Sequence, residues 1–266
     1  MLMRQIQLVK GIFMNNILVI NNTIEEYENE FVVINNNNIT FKKNCDYSIY
    51  YENCTNININ MNILDNVYVK LFEYMSDLEI NSNITYNIYD NGTLLLFKFY
   101  SNKSVVEKIN INLLGYMSKV NYNFSNICIN EEIYNLTINH NNSNSISNIS
   151  NKSICIEDGK IEFDIDTIVE KGNTKCKMNQ DTKIINFKDN KSVVKPNMYI
   201  SEEDVEARHA SVIGSINEEE LFYLMARGIN YDNSIKLLVK GYIFSNLIVD
   251  MEKRSKILNI INKYWR

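Results

Sequence analysis

The chain has 266 residues, of which 45% are hydrophobic and 22% charged, so it can bury a sizeable core and is too apolar to stay disordered. Its 27 Lys and Arg against 32 Asp and Glu give a formal net charge of −5, which excludes the basic footprint of a nucleic-acid or membrane-surface protein. Arg4, Lys10 and the pair Asn15 and Asn16 interrupt the apolar patches at the start, so neither a signal peptide nor a membrane span is expected, and the cytoplasm is the expected compartment.

Alternation with a period of two begins early and persists to about residue 200. Ile57, Ile59, Met61 and Ile63 alternate with Asn, and Val67, Val69 and Leu71 repeat the pattern. It returns at Ile109, Ile111 and Leu113, at Val120, Tyr122 and Phe124, at Tyr134, Leu136, Ile138 and His140, and at Ile161, Phe163 and Ile165. Such alternation predicts strands with one buried face. The strands are short and separated by turn signals such as Asp90-Asn91-Gly92 and Glu157-Asp158-Gly159, with no helical pattern between them. That leaves a sandwich, a barrel or a parallel β-helix. Asn suits β-helix corners because it tolerates left-handed backbone angles and forms side-chain ladders, although its abundance is also what AT-rich codon usage produces.

The period changes at Asn217, a good N-cap followed by three glutamates where the helix dipole favours anions. Leu221, Leu224 and Met225 form the apolar stripe, and Gly228 is placed to close the helix. A second helix is expected from about Asp232, with Ile235, Leu238, Val239, Tyr242 and Ile243 on one face. A third, basic one carries Ile257, Ile260, Ile261 and Tyr264.

Candidate functional residues are few. The five cysteines, Cys45, Cys54, Cys128, Cys155 and Cys176, lie far apart without CxxC or zinc spacing and are expected to be reduced thiols. Lys175 and Lys177 flank Cys176, whose plainer role is that of a core or surface thiol. His140 falls in phase with a buried strand face and is expected to be a satisfied core histidine. His209, the second of only two histidines, precedes the first helix. No GxxxxGK[ST] phosphate-binding loop is present.

The stretch DVEARHASVIGSINEEELFYLMARGI, residues 204–229, resembles the C-terminal signature of the SufB/SufD family of iron–sulfur cluster assembly proteins. The resemblance rests on Asp204, His209, Gly214, Glu218, Glu219, Leu221, Phe222, Tyr223, Leu224, Arg227, Gly228 and Ile229, which fall in place without a gap. LLVKGYI (237–243) is similar to the family's second helix, and residues 158–200 to its last coils, including the single Pro196. The match covers about 131–249.

The resemblance implies a mainly β fold: a right-handed parallel β-helix followed by a small C-terminal α-helical domain. The expected division is an N-terminal lead-in of strands and irregular chain (1–49), the β-helix core (50–203) and a turn followed by a helical docking region (204–266). The lead-in lacks the family's usual helical N-terminal region, and no Cys lies near Asn190, where SufB-type members carry one. Both departures make this a short, SufD-like member, expected to hold no tightly bound cofactor. A transient cluster or iron at a shared interface is what the resemblance implies for His209, whose plainer role is that of a turn histidine before a helix. Glu206, on the strand edge with Asp204, is either a hard oxygen ligand or, more plainly, a solvated edge carboxylate. Leu221, Phe222, Tyr223, Arg227 and Tyr242 are the expected anchors for a SufC-like ABC ATPase. The second implied partner is a SufB-like scaffold or a second copy. The chain is therefore expected to be a non-enzymatic assembly component. The alternatives are a β-helical polysaccharide-binding or polysaccharide-active protein, which would need paired carboxylates on one strand face, and a degenerate structural β-helix protein.

Overall fold

The computed structural model describes residues 16–265. The chain opens with β1 (Asn16–Ile20), β2 (Thr23–Ile24), β3 (Tyr27–Glu28), β4 (Val32–Asn35) and β5 (Asn38–Phe41). The antiparallel pairs β1–β2, β3–β4 and β4–β5 fold this end back on itself. The regular solenoid then runs through β6 (Cys45–Glu52), β7 (Asn56–Ile63), β8 (Tyr68–Ser76), β9 (Glu79–Ile88), β10 (Thr93–Ser101), β11 (Ser104–Leu113) and β12 (Lys119–Cys128). It continues in β13 (Glu131–His140), β14 (Ile146–Cys155), β15 (Lys160–Val169), β16 (Cys176–Asn186), β17 (Val193–Ile200) and β18 (Val205–Gly214).

Even-numbered strands from β6 to β18 stack as one parallel sheet, and odd-numbered strands from β7 to β17 stack as the other. Each coil thus contributes one strand to each sheet, in a parallel β-solenoid of about 6 turns. Inward residues stack in columns, because pairing in register keeps a side chain on its face. One column runs Tyr47, Leu71, Leu96, Tyr122, Ile149 and Gln180 and ends at His209.

Asparagine does two jobs. At corners, Asn66, Asn91 and Asn144 hold positive φ of 51° to 60°, which its short polar side chain tolerates better than a branched one. On the outer face, the Asn87 amide donates to Asn62 at 3.0 Å, Asn112 to Asn87 at 2.9 Å and Asn139 to Asn112 at 2.9 Å, a ladder up the coils. Both expected Gly turns form, and at Gly159 a Cβ would lie 2.2 Å from the Cys128 carbonyl oxygen, so no larger residue fits that corner.

Helices α1 (Glu218–Ala226), α2 (Tyr231–Phe244) and α3 (Met251–Tyr264) follow. Asn217, Asn230 and Asp250 cap them with side-chain oxygens accepting from backbone N–H groups. Gly228, with φ +86°, ends α1. Ile235, Val239, Ile243, Leu247, Ile257 and Ile261 bury the outer face of the even-strand sheet at Phe72, Phe97, Phe99, Ile127 and Ile154. The Asn246 amide spans two strands, donating to the Phe124 carbonyl at 2.8 Å and the Ser150 carbonyl at 3.1 Å.

One expected boundary moves. The sequence places the end of the β-helix core at residue 203 with a turn after it, but β18 carries the sheet on from Val205 through Gly214. Its pairing with β16 carries on through Ser211, Val212 and Ile213, so ladder hydrogen bonds and β-branched side chains override the small-residue signal.

Candidate functional site

Two places gather unusual chemistry: the open end of the solenoid with the adjoining helix, and the sealed interior. At the end, β18 pairs with β16 on one edge and, among the described residues, with no strand on the other. By register Val205, Ala207, His209, Ser211 and Ile213 continue the inward columns of Cys176, Met178, Gln180, Thr182 and Ile184. Gln180 is 1% exposed, whereas His209, one rung on, is exposed.

Glu206 is on the outer face of β18 and pairs with Lys177 at 2.7 Å, and both its carboxylate and the Lys177 ammonium are exposed. Alternation therefore puts Glu206 and His209 on opposite faces, and they do not converge as ligands of one ion. Among the described residues no group of three or more His, Cys, Asp or Glu side chains is arranged to hold a metal.

Helix α1 follows β18 and buries none of its residues. Leu221 is half-buried against the helix–sheet cluster, while Phe222 and Tyr223 are 73% and 55% exposed. The Arg227 guanidinium lies 4.5 Å from the centre of the Tyr223 ring. Tyr242 is placed differently: half-buried, it donates its hydroxyl to the Lys183 carbonyl at 2.6 Å and so ties α2 to β16. Leu221, Phe222 and Tyr223 lie on one exposed helix that Arg227 ends as its C-cap; Tyr242 belongs to the packed one.

The interior also holds charged residues outside the candidates expected from the sequence. Glu73, Lys98 and Glu107 are fully buried. The Lys98 ammonium is 3.1 Å from one Glu107 oxygen and 3.7 Å from Glu73. Tyr51 donates to Glu73 at 3.1 Å, Tyr86 donates to it as well, and Tyr100 and Ser82 donate to Glu107 at 3.1 and 3.2 Å. Burial pushes the Glu107 carboxyl above its ordinary range, and the Lys98 charge pulls it back. One ammonium thus faces two carboxylates with no water-exposed edge, which makes the cluster a structural charge network and removes it as an accessible pair of hydrolytic carboxylates. The signal was present, since Glu107 alternates in phase with Ile109, Ile111 and Leu113.

Further along the interior, Glu132 accepts from Tyr134 at 2.8 Å and from the Asn126 amide at 2.5 Å. Burial pushes its carboxyl up to about 8. His140 is satisfied on both ring nitrogens, by Ser145 at 2.7 Å and Ser147 at 2.8 Å, and burial lowers it to about 4. It is the neutral core histidine that its phase implied. All five cysteines are free thiols; Cys176 is buried, and only Cys45 is half-exposed.

The architecture defines a class of protein: a parallel β-solenoid whose last described strand is exposed and whose helical arm presents an aromatic surface. The sequence model of the family described as "SUF system FeS cluster assembly, SufBD core domain" matches residues 23–242. The chain belongs to this SufB/SufD family. It is 30% identical to the iron–sulfur cluster assembly protein SufB of Bacillus subtilis over 106 residues, 38% of this chain and 22% of that protein. To SufD of the same organism it is 29% identical over 76 residues, 28% of the chain and 17% of SufD. Over 41 residues it is 46% identical to the SufBD family protein PH1385 of Pyrococcus horikoshii, 15% of the chain and 9% of that relative. The matched stretches thus span less than a quarter of these relatives.

Proposed function

We propose that this chain, whose family membership supports a role in iron–sulfur cluster assembly, is a non-enzymatic scaffold subunit whose last coil pairs with a SufB-like protein or a second copy of itself, and whose helix α1 docks a SufC-like ATPase in the cytoplasm. The observation that carries this reading is the exposure of β18. Nine of its ten residues are exposed, and the tenth is half-buried. A sheet edge of this length, with core columns ending in water, invites pairing with another chain. Val212 and Ile213, 54% and 44% exposed, supply apolar contact there. Phe222 and Tyr223 supply aromatic anchors of the kind that dominate docking energies. His209 would face into the shared junction, where a transient iron or cluster is assembled, and its imidazole is a suitable ligand there.

Co-expression with the SufB-like and SufC-like proteins of the same genome, followed by affinity capture and light scattering, tests the reading. A stable complex containing both partners is the expected result. A Phe222→Ala, Tyr223→Ala double variant is expected to lose the ATPase, by about 2 kcal/mol or more of binding energy, with unchanged circular dichroism. Retention of the ATPase by the folded double variant would remove α1 as the dock, and a chain that stays alone with both partners present would overturn the scaffold reading.

A further inference from the structure

Cys128 ends β12 and Cys155 ends β14, and the two stand opposite each other in the register of the paired strands. Both side chains belong to the inward face, and both residues are 0% exposed. Parallel strands lie about 4.8 Å apart, within the Cα separation of roughly 4.4–6.8 Å that a disulfide spans. The other thiols lack this arrangement: Cys45 faces Val69 and Cys176 faces Val205, and Cys54 lies in a corner between strands.

The surroundings divide the pair into two roles. The Cys128 thiol lies 2.9 Å from the Asn130 carbonyl and 3.5 Å from the Lys160 carbonyl, and it also hydrogen-bonds to Cys155. That bond, with help from Ser192, holds the Cys155 thiol below its ordinary range, while donating it, together with burial, raises Cys128. Cys155 is therefore the readier nucleophile, because the thiolate is the reacting form. Ser192, half-buried in the corner between β16 and β17, lies 3.4 Å from the Cys155 sulfur, and exposed Asn130 lies two residues past Cys128, so both thiols sit next to corners of the coil.

We propose that Cys128 and Cys155 form an internal oxidation site, in which a small peroxide converts the two thiols into a disulfide that staples two successive coils. In the first step the Cys155 sulfur attacks a peroxide oxygen. An S–O bond forms, the O–O bond breaks, and the departing hydroxide leaves as water with the thiol proton. In the second, Cys128 attacks the sulfenic sulfur. The S–S bond forms, the S–O bond breaks, and a second water leaves with the second proton. Both thiols are oxidised, one peroxide is reduced, and the product lies on the reversible part of the cysteine oxidation ladder. The link joins neighbouring coils in their native pairing, so it limits the unfolded chain more than it alters the folded one.

The test uses the full chain, fully reduced and then exposed to hydrogen peroxide under native conditions. Thiols are counted after denaturation, and the linkage is located by peptide mapping. The expected result is a fall from five free thiols to three, a Cys128–Cys155 link within one chain, and a melting temperature raised by a few degrees and restored by dithiothreitol. Cys128→Ser, or Cys128→Ala should the serine variant fold poorly, is expected to abolish both the link and the rise. Retention of five thiols, a link between any other pair, or oxidation of Cys155 to sulfinic acid without a link in the wild-type chain would each overturn the proposal.

Discussion

The middle of the solenoid and its last coil are built from the same columns, yet they meet opposite environments. In one column Leu96 and Tyr122 are buried at 0% and 1%, and His209 at the end of it is exposed. In the next, Lys98 pairs in register with Phe124, and the column passes through Asn151 and Thr182 to exposed Ser211. A parallel solenoid makes the inward face of every strand the same kind of surface, and only the presence of a further coil decides whether it is core or interface. The middle must therefore neutralise every charge it encloses, whereas the end can leave polar groups to water or to a partner.

The sharpest way to break this comparison is to remove a cation from each region. Lys98→Met leaves Glu73 and Glu107 facing each other without their shared ammonium, and it should cost about 3–5 kcal/mol of stability, read from urea denaturation at neutral pH. Lys177→Met at the end breaks the exposed pair with Glu206 and should change stability by less than about 1 kcal/mol. Equal losses in the two variants would mean that the last coil is as sealed as the middle.

Glu132 sharpens the comparison through pH. Its folded value of about 8 lies above the ordinary 4.5, so between these limits the native chain keeps a proton that the unfolded chain releases. Stability contributed by this group is complete below pH 4.5, declines as pH rises, and levels off above about pH 8. Glu132→Gln removes the titration. The variant should gain on the wild type by about 1.4 kcal/mol per pH unit across that window, measured from urea denaturation of both chains at pH 5, 6, 7 and 8. A difference that does not vary with pH would show that the carboxyl is charged throughout.

How much of this was legible depended on what each strand encloses. Strands with apolar inward faces, such as β7, β11 and β13, were visible as alternation. β14 was not, because Ser147, Asn151, Ser153 and Cys155 occupy its inward positions around Ile149, and a polar interior erases the hydrophobic period. β10 was hidden for the opposite reason: Phe97 and Phe99 pack under the helices while Leu94 and Leu96 face the core, giving a continuous apolar run. The helix caps at Asn217 and Gly228 are local signals and were readable as such. That Glu206 and His209 face opposite sides was legible once both are placed on one strand, because residues three apart on a strand point to opposite faces. The pairing of Cys128 with Cys155 needs coil-to-coil register, which no local pattern carries.

The smallest expected effect on folding falls at His209 itself. The residue is exposed on a strand that, among the described residues, pairs along one edge only, and its neighbours on the same face, Ala207 and Ser211, are exposed too. Truncating such a side chain removes little packing, so His209→Ala should shift stability by no more than about 0.5 kcal/mol in the isolated chain. Its buried counterpart supplies the control. His140 bridges Ser145 and Ser147, so His140→Ala should cost about 1–3 kcal/mol by leaving buried hydroxyls without their partner. If the end of the solenoid is the assembly junction, the two variants should then exchange order in a second measurement. Iron and sulfide bound per complex, after co-expression with the SufB-like and SufC-like partners, should fall for His209→Ala while the ATPase stays bound. Per folded complex, His140→Ala should assemble normally. A His209→Ala complex with full iron and sulfide content would leave that imidazole without a role in assembly, and the open edge would then serve pairing alone.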